Sequence, residues 1–167
     1  MSCDTVSTEW LWGIIQAYEK EQNENGYVFV WSFQDPANDK CKIEDIVAVA
    51  FLEVDTEPTE STVDLVSCAC KGCGVGSHVL RYLESFVLEK NRECLHVCVN
   101  SIPSVWMFYW KNGYRVDHRV LFPKTLESEY ENFDCIKEKI DRRTKRAQKY
   151  GSRDEIDMIK VLSSIPK

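Results

Sequence analysis

Six consecutive residues, Lys71-Gly72-Cys73-Gly74-Val75-Gly76, carry the clearest chemistry in the chain. Glycines at 72, 74 and 76 have no Cβ, so the backbone can turn sharply and approach a ligand closely. A strand-like run, Val63 to Cys70, precedes the loop, and a helical pattern follows from Ser77 to Lys90. The N–H groups that open such a helix have no acceptor within it, and together with the helix dipole they favour an anion. Lys71 adds a positive charge beside them. The loop is therefore a candidate cradle for phosphate. Two other phosphate loops are excluded by spacing. A P-loop needs Lys directly after its last glycine and then Ser or Thr, whereas Gly76 is followed by Ser77-His78. A dinucleotide fold needs G-x-G-x-x-G after its first strand, and here the glycines fall at every second position. The reading without a ligand is an ordinary glycine turn.

Charge is distributed unevenly around this loop. Residues 43 to 70 hold seven carboxylates (Glu44, Asp45, Glu53, Asp55, Glu57, Glu60 and Asp64) and no Lys or Arg. Residues 137 to 153 reverse the pattern with Lys137, Lys139, Arg142, Arg143, Lys145, Arg146, Lys149 and Arg153. Such blocks suit a cationic acceptor and an anionic cofactor, or they are solvated faces. The formal net charge of −6 excludes a general nucleic-acid binder, which needs a dominant basic surface.

The eight cysteines raise a second possibility. Cys68, Cys70 and Cys73 read C-x-C-x-x-C, while Cys94, His96 and Cys98 alternate along a strand-like run. A thiolate zinc site would use such residues, but structural zinc sites commonly pair two short knuckles, and only one loose candidate is present. Buried thiols are the competing reading, and no metal is expected. The N-terminus lacks a basic segment followed by an apolar one, so no secretory signal is seen and reduced thiols are expected. The expected location is the cytoplasm, with the nucleus open. No apolar run reaches the roughly 18 residues a membrane-spanning helix needs.

These residues must be positioned by the elements around them. Apolar periodicity predicts a helix over 8–22, with Trp10, Leu11, Ile14, Ile15 and Tyr18 on one side. Strands are predicted at 27–33, 46–54 and 63–70, the second nearly continuous in apolar residues and hence central. The helix after the loop places Val79, Leu80, Leu83, Phe86 and Val87 on one side. A strand at 94–99, an aromatic helix at 104–112, a strand at 114–122, a helix at 126–150 and a last strand at 157–162 complete the order. Asn112-Gly113 is expected to close the aromatic helix. The sum is one α/β domain over residues 1–167, with a mixed central sheet, helices on both faces and a helical insertion before the final strand.

With the elements in order, the loop resembles the signature of the GNAT superfamily of N-acetyltransferases. That family carries Arg/Gln-x-x-Gly-x-Gly/Ala between a strand and a helix, and Lys71 to Gly76 match it with Lys in the first place. A Lys keeps the charge but lacks the planar donor fork of Arg. Downstream, the family pattern Asn…Phe/Leu-Tyr-x-Lys-x-Gly-Phe/Tyr is similar to Asn100…Phe108-Tyr109-Trp110-Lys111-Asn112-Gly113-Tyr114. The closing strand 157–162 is a weaker match. The resemblance spans about residues 46 to 162, and the family's usual first strand is not evident.

The resemblance implies acetyl-CoA as co-substrate, lying where two parallel strands, 63–70 and 94–99, splay apart. Backbone groups near Val66, Cys68 and Cys70 would meet the pantetheine arm. The N–H groups from Gly72, Cys73, Gly74, Val75, Gly76 and Ser77, beside Lys71, would hold the pyrophosphate. Asn100 would bond the cofactor or orient the acceptor. Tyr109 stands where the family places its acid, and a phenol of ordinary pKa near 10 suits protonation of a leaving thiolate. Its other reading is a core aromatic. Asp64 or Glu60 is the candidate base, with an ordered water or a merely substrate-attracting carboxylate as alternatives; Asp64 would share side-chain parity with Val66 and Cys68. His96 is read as a core histidine. The implied reaction is acetyl transfer to a primary amine, with the acidic stretch favouring a polyamine or a lysine side chain. A non-catalytic acyl-CoA-binding regulatory domain and a zinc-dependent interaction module are the alternatives. The oligomeric state stays open, a homodimer included.

Overall fold

Strand formation starts from composition. The uncharged, aromatic and β-branched segment Gly26–Ser32 is β1, and the apolar segment Ile46–Val54 is β2, in a computed structural model of the chain. Residues 26–32, 46–54, 60–68, 72–117, 132–150 and 155–162 are described. The predicted helix at 8–22 lies outside them. The chain divides into two compact units, Met1–Leu95 with Ser164–Lys167, and His96–Ser163.

In the first unit β2 pairs antiparallel with β1 on one side and with β3, Glu60–Cys68, on the other. Helix α1, Val75–Lys90, follows the glycine loop. Its Val79, Leu80, Leu83 and Val87 are buried, as expected from their spacing, and it packs against β2 and β3. Phe86, the remaining member of the predicted apolar side, turns toward β1 instead. There Tyr27, Phe29 and Trp31 meet Phe86 and Tyr82 edge-on, with ring centroids 4.9–5.7 Å apart. One face of β1 is thus covered by α1, while Val28 and Val30 on the other face are exposed. β2 is the core strand: Ala48, Val49, Ala50, Phe51 and Leu52 are all fully buried.

In the second unit the strand order is β4–β6–β5, from β4 His96–Ser101, β5 Arg115–Val116 and β6 Ile156–Val161, all antiparallel. β4 begins two residues later than predicted because Cys94 belongs to the preceding turn. Its N–H donates to the Asn91 carbonyl at 3.1 Å, and its Sγ lies 3.4 Å from the Ser61 Oγ. The aromatic helix α2, Trp106–Lys111, is similarly shortened by a turn in which the Val105 N–H donates to the Ile102 carbonyl. Helix α3 is Phe133–Tyr150, and residues 126–131 of the predicted helix lie outside the described residues. Asn132 caps its first turn: its Oδ1 accepts from the N–H groups of Asp134 and Cys135 at 3.0 and 3.2 Å. Ile136, Ile140 and Ala147 form its buried side. Phe133 then stacks with Trp106 of α2 at 5.5 Å and meets Trp110 edge-on at 5.6 Å.

Candidate functional site

The loop before α1 has the backbone that its glycines imply. Gly72 and Gly74 adopt φ of 80° and 79°, in the left-handed region that side-chain-bearing residues rarely enter. A Cβ built on either would meet nothing within 4 Å, so the glycines answer to the backbone turn and leave the approach to it open. Gly74 is the N-cap of α1, and its carbonyl accepts the first helical bond, from the His78 N–H at 3.0 Å. The cap makes no side-chain hydrogen bond, and the first turn holds no acidic residue. Val75, Gly76 and Ser77 open the helix with N–H groups that its own ladder leaves without acceptors, at the positive end of the helix dipole. Cys73 sits exposed between the two left-handed glycines. Lys71 and Cys70 lie outside the described residues.

β3, which leads into this loop, is irregular. Phe51 pairs with Leu65 and Leu52 with Val63, so the ladder skips Asp64. Asp64 is the extra residue of a β-bulge, a feature that re-aims the strand and interrupts its alternation. The parity argument linking Asp64 to Val66 and Cys68 does not carry across it. Val66 pairs with Ala50 and Cys68 with Ala48 below the bulge, and Glu60 is the first residue of β3.

Asn100 and Tyr109 belong to the second unit. Asn100 is exposed near the end of β4 and stands directly opposite Asp157 of β6. Tyr109 is buried, its ring 5.1 Å from Phe108 and 5.7 Å from Tyr114. It also helps end α2. Gly113, at φ 91°, donates its N–H to the Trp110 carbonyl, and the Tyr114 N–H donates to the Tyr109 carbonyl, both at 3.1 Å. These two bonds, with the Tyr109–Tyr114 ring contact, form a Schellman closure. Asn112-Gly113 closes the helix as its sequence predicts.

No protein-family model matches the sequence, and no curated protein sequence matches it. Solved structures do match. Tetrahymena GCN5 superposes with a TM-score of 0.55 over 95% of this chain and 83% of its own, at 7% identity. An aminoglycoside 6'-N-acetyltransferase complexed with coenzyme A gives 0.54 over 91% and 81%, at 13% identity. The ribosomal-protein-S18-alanine N-acetyltransferase from Escherichia coli gives 0.52 over 91% and 79%, at 14% identity. The chain has the GNAT N-acetyltransferase fold.

The GNAT fold is the mixed α/β class that the order of elements predicts, and identities this low define the fold alone. Within it, Gly72, Cys73 and Gly74 form the turn that leads into α1, and Val75, Gly76 and Ser77 are the first residues of the helix. Among the described residues no three His, Cys, Asp or Glu side chains gather to hold a metal ion, and no helix is long and apolar enough to cross a membrane.

One feature of the GNAT sheet escaped sequence reasoning. The β5–β6 ladder runs one step past Val116, where the Asp117 N–H donates to the Asp157 carbonyl at 2.8 Å. Asp117 and Asp157 are thus directly opposed, and Asn100, Asp157 and Asp117 form one polar rung across β4, β6 and β5. Asp117 is buried, Asp157 half-buried and Asn100 exposed. Burial holds the Asp157 carboxyl above the ordinary carboxylate range; Asp117 and Glu155 add to this, and Arg143 of α3 opposes it. An Asp pair separated by 40 positions gives no local signal.

Proposed function

We propose that this chain is an acetyl-CoA-dependent N-acetyltransferase acting, as a single domain, on a cationic primary amine. The observation that carries the reading is the glycine loop: two left-handed glycines, with open space where a Cβ would project, lead into a helix start with no side-chain cap and no acidic residue in its first turn. Such a helix start binds a pyrophosphate by charge and geometry together. Coenzyme A in the aminoglycoside acetyltransferase of the same fold supports acetyl-CoA as the donor. When bound, acetyl-CoA supplies an activated thioester.

The chain's own residues then have separate tasks. The N–H groups from Gly72 to Ser77, with Lys71, hold the pyrophosphate, and backbone groups of Val66 and Cys68 meet the pantetheine arm. The acceptor ammonium must lose a proton before it attacks. Asp64, at the bulge, or Glu60 takes that proton directly or through water. Nitrogen would then attack the thioester carbonyl; as the C–S bond breaks, the Tyr109 hydroxyl would give its proton to the leaving sulfur, and the second proton on nitrogen would pass to the Tyr109 oxygen, directly or through water, leaving a neutral amide and a free thiol. The acidic stretch from residue 43 to 70 draws cationic acceptors such as a polyamine or a lysine side chain.

The test is a panel of amines incubated with acetyl-CoA while free thiol is followed. Release that depends on a cationic primary amine is expected. Stabilisation by acetyl-CoA without release for any amine would leave a binding domain and remove the transferase assignment.

A further inference from the structure

The two halves of α3 differ in charge. Its carboxylates, Asp134, Glu138 and Asp141, all precede residue 142, whereas residues 142–149 hold Arg142, Arg143, Lys145, Arg146 and Lys149 and no acid. At roughly 100° per residue, Arg142, Lys145, Arg146 and Lys149 share an arc of about 100°, opposite the buried side of Ile136, Ile140 and Ala147. All four are exposed. Arg142 pairs with Glu138 one turn earlier, and Arg143 is half-buried and acts on Asp157. Lys145 and Arg146 make no ion pair among the described residues. Compensation of the helix dipole does not account for the row, because it acts within the last turn, where Lys149 is the basic residue. Solubility does not account for it either, since a net charge of −6 already keeps copies of the chain apart.

We propose that the outer face of residues 142–149 docks a short, carboxylate-rich segment of a partner protein. The inference is independent of the acetyltransferase reading and adds an interaction surface to it. Charge complementarity selects an anion, and the length of the row selects its kind. From Arg142 to Lys149 the cations span about 10 Å of helix. A nucleic acid repeats its phosphates past both ends of so short a row, onto a chain that is acidic overall and repels it. A peptide segment can end where the cations end. Carboxylates three or four residues apart on a helix, or two apart on a strand, recur every 5–7 Å or so, which is about the spacing of Arg142, Lys145 or Arg146, and Lys149 along α3. A membrane surface would need an apolar side to insert, and that side of α3 is already buried in the fold.

The experiment titrates the full chain into fluorescein-labelled octaglutamate at low ionic strength and follows fluorescence anisotropy. Saturable binding is expected, and it should weaken as salt is added. The double variant Lys145→Glu/Arg146→Glu should bind roughly tenfold more weakly or worse, because two attractions become repulsions. Both positions are exposed, so the variant is expected to fold, and a wild-type Tm confirms it. Arg81→Glu/Arg92→Glu makes the same change in net charge at two exposed cations of the first unit, and should bind octaglutamate as the wild type does. Absence of binding overturns the inference, as does an equal loss in both double variants, which would make bulk charge the cause. Tighter binding of octauridylate or of phosphatidylserine vesicles than of octaglutamate overturns it in favour of nucleic acid or membrane. Displacement of octaglutamate by acetyl-CoA overturns it by assigning the row to the cofactor. Self-association of the wild type that Lys145→Glu/Arg146→Glu abolishes overturns it in favour of a second copy of the chain.

Discussion

Substituting Gly74 separates what the fold needs from what the cofactor needs. Gly74 sits at φ 79° with open space where a Cβ would project. In the free protein, Gly74→Ala therefore meets no clash, and its penalty is backbone strain of about 1–2 kcal/mol. For a chain of 167 residues, each kcal/mol lowers Tm by roughly 2–4 °C, so the alanine variant should melt roughly 2–8 °C below wild type. Acetyl-CoA at 100 times its Kd stabilises the native state by about 2.7 kcal/mol, a rise of roughly 5–11 °C on the same scale. The open space that spares the free alanine variant is where the pyrophosphate would lie. Alanine should therefore lose part of the acetyl-CoA shift, and Gly74→Asp, which adds a negative charge, should lose all of it. Differential scanning fluorimetry with and without acetyl-CoA reads both terms from one set of samples. Gly113→Ala in the other unit supplies the control, since it carries similar strain at φ 91° and should keep the full ligand shift. If Gly74→Asp shows the wild-type shift, the helix start does not hold the cofactor, and the assignment of this loop falls.

Three further outcomes are expected. Tyr109→Phe should retain the fold and the acetyl-CoA shift, because the ring contacts to Phe108 and Tyr114 survive, while kcat in steady-state assays falls roughly 10²-fold or more with little change in KM. A kcat loss below about threefold would make Tyr109 core filling only. Gly113→Ala should lower Tm by roughly 2–8 °C through strain at the Schellman closure, since its Cβ would meet only the flexible Lys160 side chain at 3.4 Å; an unchanged Tm would refute the need for a left-handed residue there. Asp157→Asn should stabilise the protein at neutral pH. The folded carboxyl is held above its unfolded value, so its contribution to stability is fully present below the unfolded pKa and is lost as pH rises through the folded one. Thermal melts should thus show Asp157→Asn above wild type near pH 7, with the gap shrinking as the pH approaches 4 and below; a gap independent of pH would indicate altered packing instead.

What the sequence disclosed follows a physical division. Periodicity reports which side of an element is buried, and it located β2 and the buried stripe Val79, Leu80, Leu83 and Val87 of α1. Glycine reports backbone conformation, and it located Gly74 at the start of α1 and Gly113 at the end of α2, both left-handed. Boundaries slipped where a turn decides the end of an element: the Asn91–Cys94 turn delays β4, and the Ile102–Val105 turn delays α2. Register is the property that a single sequence hides most completely, because it depends on which residue of another strand lies opposite. The bulge that skips Asp64 breaks the alternation on which its parity was judged, and only the pairing of Phe51 with Leu65 and Leu52 with Val63 reveals it. Asp157 was legible merely as one polar residue in a closing strand. The pairing puts it opposite Asn100 on one side and Asp117 on the other, an arrangement that no single strand discloses. A fold shared with an aminoglycoside acetyltransferase and a ribosomal-protein acetyltransferase fixes no acceptor by itself, so the amine has to be sought in side chains that differ between such proteins rather than in the glycine loop.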